Sequence, residues 1–141
     1  MSETLETPPE RTPRIRLVAM PADTNPRGDI FGGWLMSQMD LAGAVEAAFR
    51  AGGRCSTVAV NGLVFLRPVL VGDEVSLYAE LMRVGRTSLT VHVQAWRRGI
   101  PDLVSQKVTA GDFTFVAIDE NRRPRPVPPS LPHPEGVDWP V

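Results

Sequence analysis

Asp40 is the residue whose type and setting could do chemistry. It is ionisable and sits in an apolar run, with Met39 before it and Leu41 and Ala42 after it. Aspartate is a poor helix former in a helix interior. Gly33 lies seven residues earlier, so helical spacing puts Gly33, Met36, Ser37 and Asp40 on one face. Gly32-Gly33 would leave the first backbone N–H groups and the positive end of the helix dipole without side-chain cover. A carboxylate two turns from such an anion-friendly start suits an acid or base. The plainer reading is a helix-face aspartate in a salt bridge between subunits.

The element that must carry Asp40 is a helix from about Gly32, apolar on nearly every side: Trp34, Leu35, Met36, Met39, Leu41, Ala42, Ala44, Val45, Ala47, Ala48 and Phe49. Such a helix is expected to be buried. Gly52-Gly53 stop it, with Arg50 and Arg54 at its negative end. Ahead of it, PADTNPRGD (21–29) is a loop with turn chemistry, which delivers its side chains to the helix start. Asp29 reads as the acid of the helix N-terminus.

Apart from a short strand at 15–20, the other elements are extended. Segment 56–66 is apolar on both alternating faces, so a strand covered on both sides is expected. VSLYAELMRV (75–84) and SLTVHVQAW (88–96) alternate, the second with Leu89, Val91, Val93 and Ala95 facing in. In 104–118 the alternation slips, and Gly111 is the expected site of a β-bulge. Residues 1–14 read as disordered, 15–118 as the domain, and 119–141, with seven prolines, as an extended tail. One flat sheet cannot hide a helix that is apolar all round. A strongly curved sheet can wrap it, and a second copy can cover the remainder.

Composition narrows the function. With 141 residues the chain is expected to be one domain. A net charge of −1 makes no case for nucleic acid or an acidic membrane surface. MSETLETPPERTPR has no secretory apolar core, and no run approaches the ~18 residues of a spanning helix. The single cysteine, Cys55, fits a reducing cytoplasm, and His92 and His133 offer no metal-ligand spacing with it. A cytoplasmic, metal-free protein is expected.

The run MPADTNPRGDIFGGWLMSQMDLAGAV closely resembles the acyl-CoA thioester hydrolases of the bacterial YciA type, related to the mammalian cytosolic acyl-CoA hydrolases. TVAVNGLVFLRPVLVGDEV, VGRTSL and FTFVAIDEN resemble the same family's later strands, so the likeness covers roughly 15–124. Its specificity lies in the order D-x-N loop, GGW helix start and MD in mid-helix. Pro26-Arg27 departs from the small residues of that loop. The resemblance implies an α+β hotdog fold, one long central helix wrapped by a curved five-stranded antiparallel sheet. It implies hydrolysis of acyl-CoA thioesters without metal or cofactor, coenzyme A being part of the substrate. It also implies homodimers assembled into a hexamer, a trimer of dimers. Asp40 takes the position of the catalytic carboxylate, and Asn25 that of its partner across the dimer.

A thioester carbonyl needs donors for its developing oxyanion, and backbone N–H groups at Gly33-Trp34 are candidates. Asp40 could activate water or attack the carbonyl itself; the sequence leaves both open. Asn25 could equally bond its own turn. Ser37 lacks a neighbouring histidine and an elbow motif, and Cys55 reads as inert packing. Candidate substrate-binding residues are Gly32, Trp34, Asn61, Phe65, Arg67, Arg86, Thr87 and Ser88. Of the arginines that could meet coenzyme A phosphates, including Arg97 and Arg98, Arg86 stands out because Thr87 and Ser88 add hydroxyl donors. Two other function classes compete. A hotdog hydratase would carry D-x-N-x-x-H, but Gly28 stands where that histidine would be. A non-enzymatic acyl-CoA-sensing module would need a partner-binding segment, which neither terminus provides.

Overall fold

Gly32–Ala51 form α1, the only α-helix of residues 6–130, which are those the computed structural model describes. Five strands surround it: β1 (Ile15–Val18), β2 (Cys55–Asn61), β3 (Glu74–Val84), β4 (Ser88–Arg98) and β5 (Ser105–Ala117). All pairings are antiparallel, in the order β1-β3-β4-β5-β2. This is the expected hotdog arrangement, a single helix in a curled sheet.

The alternation read from the sequence sets the core. Leu89, Val91, Val93 and Ala95 are fully buried, as are Val75, Leu77, Phe113 and Phe115 on the neighbouring strands. They meet Leu35, Met39, Ala42 and Ala47 of α1. The helix lies close to the sheet at Gly43, where an added Cβ would stand 3.0 Å from Phe115 Cζ and 3.2 Å from Val93 Cγ2. Any larger residue there would lift α1 off β4 and β5.

Within one chain α1 keeps an open face, the remainder left for a second copy: Leu41 is 55% exposed and Phe49 57%, with Val45 between them on the same face. The sheet curls round one side of the helix only, and the other face is left open together with Val58 and Val60 of β2. Within one chain β2 is likewise not covered on both sides, since Ser56 to Asn61 are all exposed, and it is an edge strand paired with β5 alone. It stops at Asn61, because Gly62 takes φ 82° and turns the chain away. Residues 62–66 then cross back, and Leu66 N–H bonds Val108 O at 2.7 Å.

The irregularity in β5 is at Val108, not Gly111. Ala95 pairs with Thr109 and Trp96 with Lys107, so Val108 is the extra residue. Val108 and Thr109 therefore both point inward and are buried. Gly111 is in register, opposite Val93, and is small for another reason: its Cβ would fall 2.8 Å from Leu63 Cδ2 and 2.9 Å from Asn61 O.

The terminal segments are held over much of their length. Disorder was expected for 1–14, but within 6–14 Arg11 donates to Ala79 O at 2.8 Å and Arg14 N–H to Leu77 O at 2.8 Å. An extended tail was expected for 119–141; over 119–129 the proline-rich stretch lies on the body. Val127 packs against the core cluster, and Ile118 forms a bridge with Pro124. The rest of both calls, residues 1–5 and 131–141, lies outside the described residues.

Candidate active site

The start of α1 is open. Phe31 is its N-cap, extended at φ −98° and ψ 157°, with no side-chain cap. Phe31 O accepts from Trp34 N–H at 3.1 Å and Leu35 N–H at 3.4 Å. Trp34 N–H is therefore engaged, and the free donors of the first turn are those of Gly32 and Gly33. The expected Gly33-Trp34 donor pair shifts by one residue. The Trp34 side chain is only 9% exposed and belongs to the core cluster, which removes it from a substrate surface.

Beside this helix start lies a cavity of about 350 Å³ lined by Ile30, Phe31, Gly32, Leu35, Phe65 and Val69 among others. Phe65 closes on Gly32, where an added Cβ would meet the ring at 3.3 Å. Arg67 also lines it, donating to Lys107 O at 2.7 Å with Glu6 at 3.6 Å. Gly32, Phe65 and Arg67 are thus brought together, as are the two free N–H groups.

Asp40 is half-buried farther along α1. Its Oδ1 accepts a hydrogen bond from Thr57 Oγ1 of β2 at 2.6 Å. That bond is short for a hydroxyl donor and fixes the orientation of the carboxylate. Among the described residues no cation pairs with Asp40. Thr57 was not singled out from the sequence. The available signal was weak, because Thr57 shares its hydroxyl chemistry with Ser56 in a strand read as apolar on both faces.

Seven helical residues separate Gly33 from Asp40, about 10 Å along the axis. An oxyanion donor must lie about 3 Å from the carbonyl oxygen and a base within reach of the attacking water. A spacing of about 10 Å is long for one chain's Gly33 and the same chain's Asp40 to meet at one carbonyl, although they share a helix face. Asn25 does not reach Asp40 either. Its Oδ1 accepts from Arg27 N–H at 3.0 Å and Asp29 N–H at 3.1 Å, so the carbonyl end of its side chain closes its own loop.

The remaining candidates lie elsewhere. Arg86 is exposed and Thr87 and Ser88 half-buried in the β3–β4 turn, where Ser88 pairs with Val116. Asn61 ends β2 opposite Asp112, four residues away along β5, or about 13 Å. His92 bonds Asp112 at 2.8 Å. Both alternate with buried residues and so occupy the sheet face away from α1. Cys55 is a weak nucleophile: burial pushes its thiol up, and Arg125 nearby offsets this only in part. Arg97 is committed to Asp73 and Gln106, and Arg98 to Glu74. No cluster of metal-ligating side chains occurs among the described residues, and no helix there is long and apolar enough to cross a membrane.

The sequence model of the Thioesterase superfamily matches residues 27–103. An uncharacterized acyl-CoA thioester hydrolase of Zymomonas mobilis is 53% identical over 121 residues, covering 86% of this chain and 81% of the relative. The acyl-CoA thioester hydrolase YciA of Escherichia coli K12 is 48% identical over 117 residues, 81% of this chain and 89% of its own. The crystal structure of HI0827, a hexameric broad specificity acyl-coenzyme A thioesterase, superposes with a TM-score of 0.84 at 42% identity. That match covers 91% of this chain and 88% of HI0827.

Proposed function

The chain belongs to the Thioesterase superfamily and, within it, to the YciA-type acyl-CoA thioester hydrolases, and on that premise we propose that it hydrolyses acyl-CoA thioesters to the free acid and coenzyme A. The observation that carries the reading is Asp40: a carboxylate in an apolar helix, bonded by Thr57 and free of any cation among the described residues. Such a group is held in fixed orientation, which a general base or carboxylate nucleophile requires.

The catalytic site forms between two chains. Asp40 of one chain takes a proton from water as the water oxygen adds to the thioester carbonyl. The Gly33 N–H of the other chain receives the oxyanion, with Gly32 N–H beside it. Collapse of the tetrahedral intermediate expels the coenzyme A sulfur, which leaves as the thiol once protonated. The separation of about 10 Å along one helix supports this division of labour. The open apolar face of α1 and the unpaired edge of β2 support a homodimer built there. Asn25, whose amide nitrogen is left over from its turn, orients carbonyl or water from the partner chain. The dimers assemble into a hexamer, a trimer of dimers, as the hexameric relative suggests.

The apolar cavity beside Gly32 receives the uncharged part of the substrate, and Arg86, with Thr87 and Ser88, meets coenzyme A phosphates. The reaction needs no metal or cofactor. The enzyme works in the cytoplasm, without nucleic acid or membrane as partner. Thiol release from acyl-CoA, followed with a thiol reagent, tests the reading. Turnover that persists in EDTA is expected; absence of release across short and long acyl chains would overturn it.

A further inference from the structure

The turn carrying Arg86 is fixed by more than its own hairpin. Gly85 N–H closes it on Ser88 O at 2.7 Å. Two other segments then grip its backbone: Ala117 N–H donates to Thr87 O at 2.9 Å, and Val127 N–H to Arg86 O at 2.8 Å. Val127 belongs to the proline-rich stretch, whose order Pro124-Arg125-Pro126-Val127-Pro128 explains how so many prolines can lie along a sheet. A residue before proline is driven to extended backbone. In an extended chain alternate residues present their N–H groups to the same edge. Arg125 and Val127 turn theirs to the body, where Arg125 N–H reaches Ala117 O at 2.9 Å. The prolines take the outer edge, having no N–H to leave unpaired.

Two arginines fasten this strap to the end of α1. The Arg125 guanidinium donates to Ala51 O at 3.0 Å and Ile118 O at 3.1 Å. The Arg50 guanidinium donates to Pro128 O at 2.6 Å and Pro129 O at 2.9 Å. The Val127 side chain packs against the core. The exposed Arg86 thus projects from a backbone held on three sides.

We infer that the Arg125–Pro129 strap is a positioning element of the phosphate-binding part of the substrate site, acting through the Val127 N–H to Arg86 O bond; this rests on the assignment of Arg86 to coenzyme A phosphates. The strap touches no reacting atom. Its loss should weaken binding of a phosphate-bearing substrate and leave the chemical step alone.

The test compares one acyl group as its coenzyme A thioester and as its N-acetylcysteamine thioester, which has no phosphate. Val127→Pro deletes the N–H and keeps an extended backbone. KM for the acyl-CoA should rise by up to about tenfold, the scale of one charge-assisted hydrogen bond, with kcat little changed. KM for the N-acetylcysteamine thioester should stay as in the parent protein. An unchanged acyl-CoA KM, or an equal rise for both substrates, would overturn the inference, the latter because it marks general loosening. Arg86→Ala separates the premise: if it leaves the acyl-CoA KM unaltered, the assignment of Arg86 fails and takes the inference with it. If Arg86→Ala raises that KM and Val127→Pro does not, the assignment stands and the strap has no such role. Should Val127→Pro lose its cooperative melt, Arg50→Met, which frees the Pro128 and Pro129 carbonyls, carries the same comparison with the same outcomes.

Discussion

Thr57 Oγ1 donates a 2.6 Å hydrogen bond to Asp40 Oδ1, tying the edge strand β2 to the middle of α1. The bond fixes one carboxylate oxygen and leaves the other available. Thr57→Val keeps the shape and removes the donor. A hydrogen bond to a charged group contributes about 1.5–3 kcal/mol, so turnover on acyl-CoA should fall by roughly tenfold or more with KM little affected. Steady-state kinetics on the folded variant check this; unchanged kcat would mean the hydroxyl does not serve the carboxylate.

Asp73 gives a stability prediction that is independent of catalysis. Burial pushes its carboxyl up, but the hydrogen bond from Arg97, the N–H of Leu70 and the charge of Arg97 outweigh that and hold it below the ordinary 3.8. A depressed folded value means that the unfolded chain binds the proton more readily. The contribution is therefore complete above the unfolded value and lost as pH falls through the folded one. Removing one partner of a buried pair costs about 3–5 kcal/mol, less here because asparagine can still accept from Leu70 N–H. Asp73→Asn should lower Tm at pH 7 by roughly 10 °C. It should also flatten the acid limb of the stability curve below about pH 4. A variant melting with the parent at pH 7 would contradict this.

The proline-rich segment supplies the third. From its composition it reads as dispensable; its contacts argue otherwise. Truncation after Glu120 removes the packed Val127, the Arg125 clamp and the acceptors of Arg50. Together these amount to about 2–4 kcal/mol, and Tm should drop by roughly 8 °C or more. An unchanged melt would mean the strap is loosely held in solution.

Much of the fold was legible because its signals are local. Leu89, Val91, Val93 and Ala95 alternate in sequence and line up in the core. The bulge was misplaced because Gly111 is the conspicuous residue, whereas Val108 and Thr109 both look like ordinary strand residues; only pairing with Ala95 and Trp96 reveals the extra one. In the site, Asp40 stood out as a charge in an apolar helix. Its partner did not, since the Thr57 bond spans seventeen residues and depends on how β2 meets α1. The strap was not legible because a proline-rich run reads as an extended tail, whereas the alternation of proline with Arg125 and Val127 is what lets it lie on a sheet.

The open face of α1 bears on assembly. Leu41, Val45 and Phe49 form a stripe beside Val58 and Val60 of β2, more apolar surface than a monomer of this size usually exposes. Sedimentation at micromolar concentration should give a mass near six times the 15.4 kDa chain. Leu41→Glu or Val58→Glu should shift it to smaller species and abolish turnover together, the outcome expected of the proposed catalytic site between two chains. A fully active 15.4 kDa species would contradict the shared site.

Asp40→Asn tests the central claim most directly. The amide keeps the size of the carboxylate and an oxygen that can still accept from Thr57, but it cannot act as base or nucleophile. The variant should fold and assemble like the parent, with KM for acyl-CoA close to unchanged, while kcat falls by about 10²-fold or more, the scale of a positioned acid or base. A folded, assembled Asp40→Asn protein that releases coenzyme A at near the parent rate would show that Asp40 is not the catalytic carboxylate.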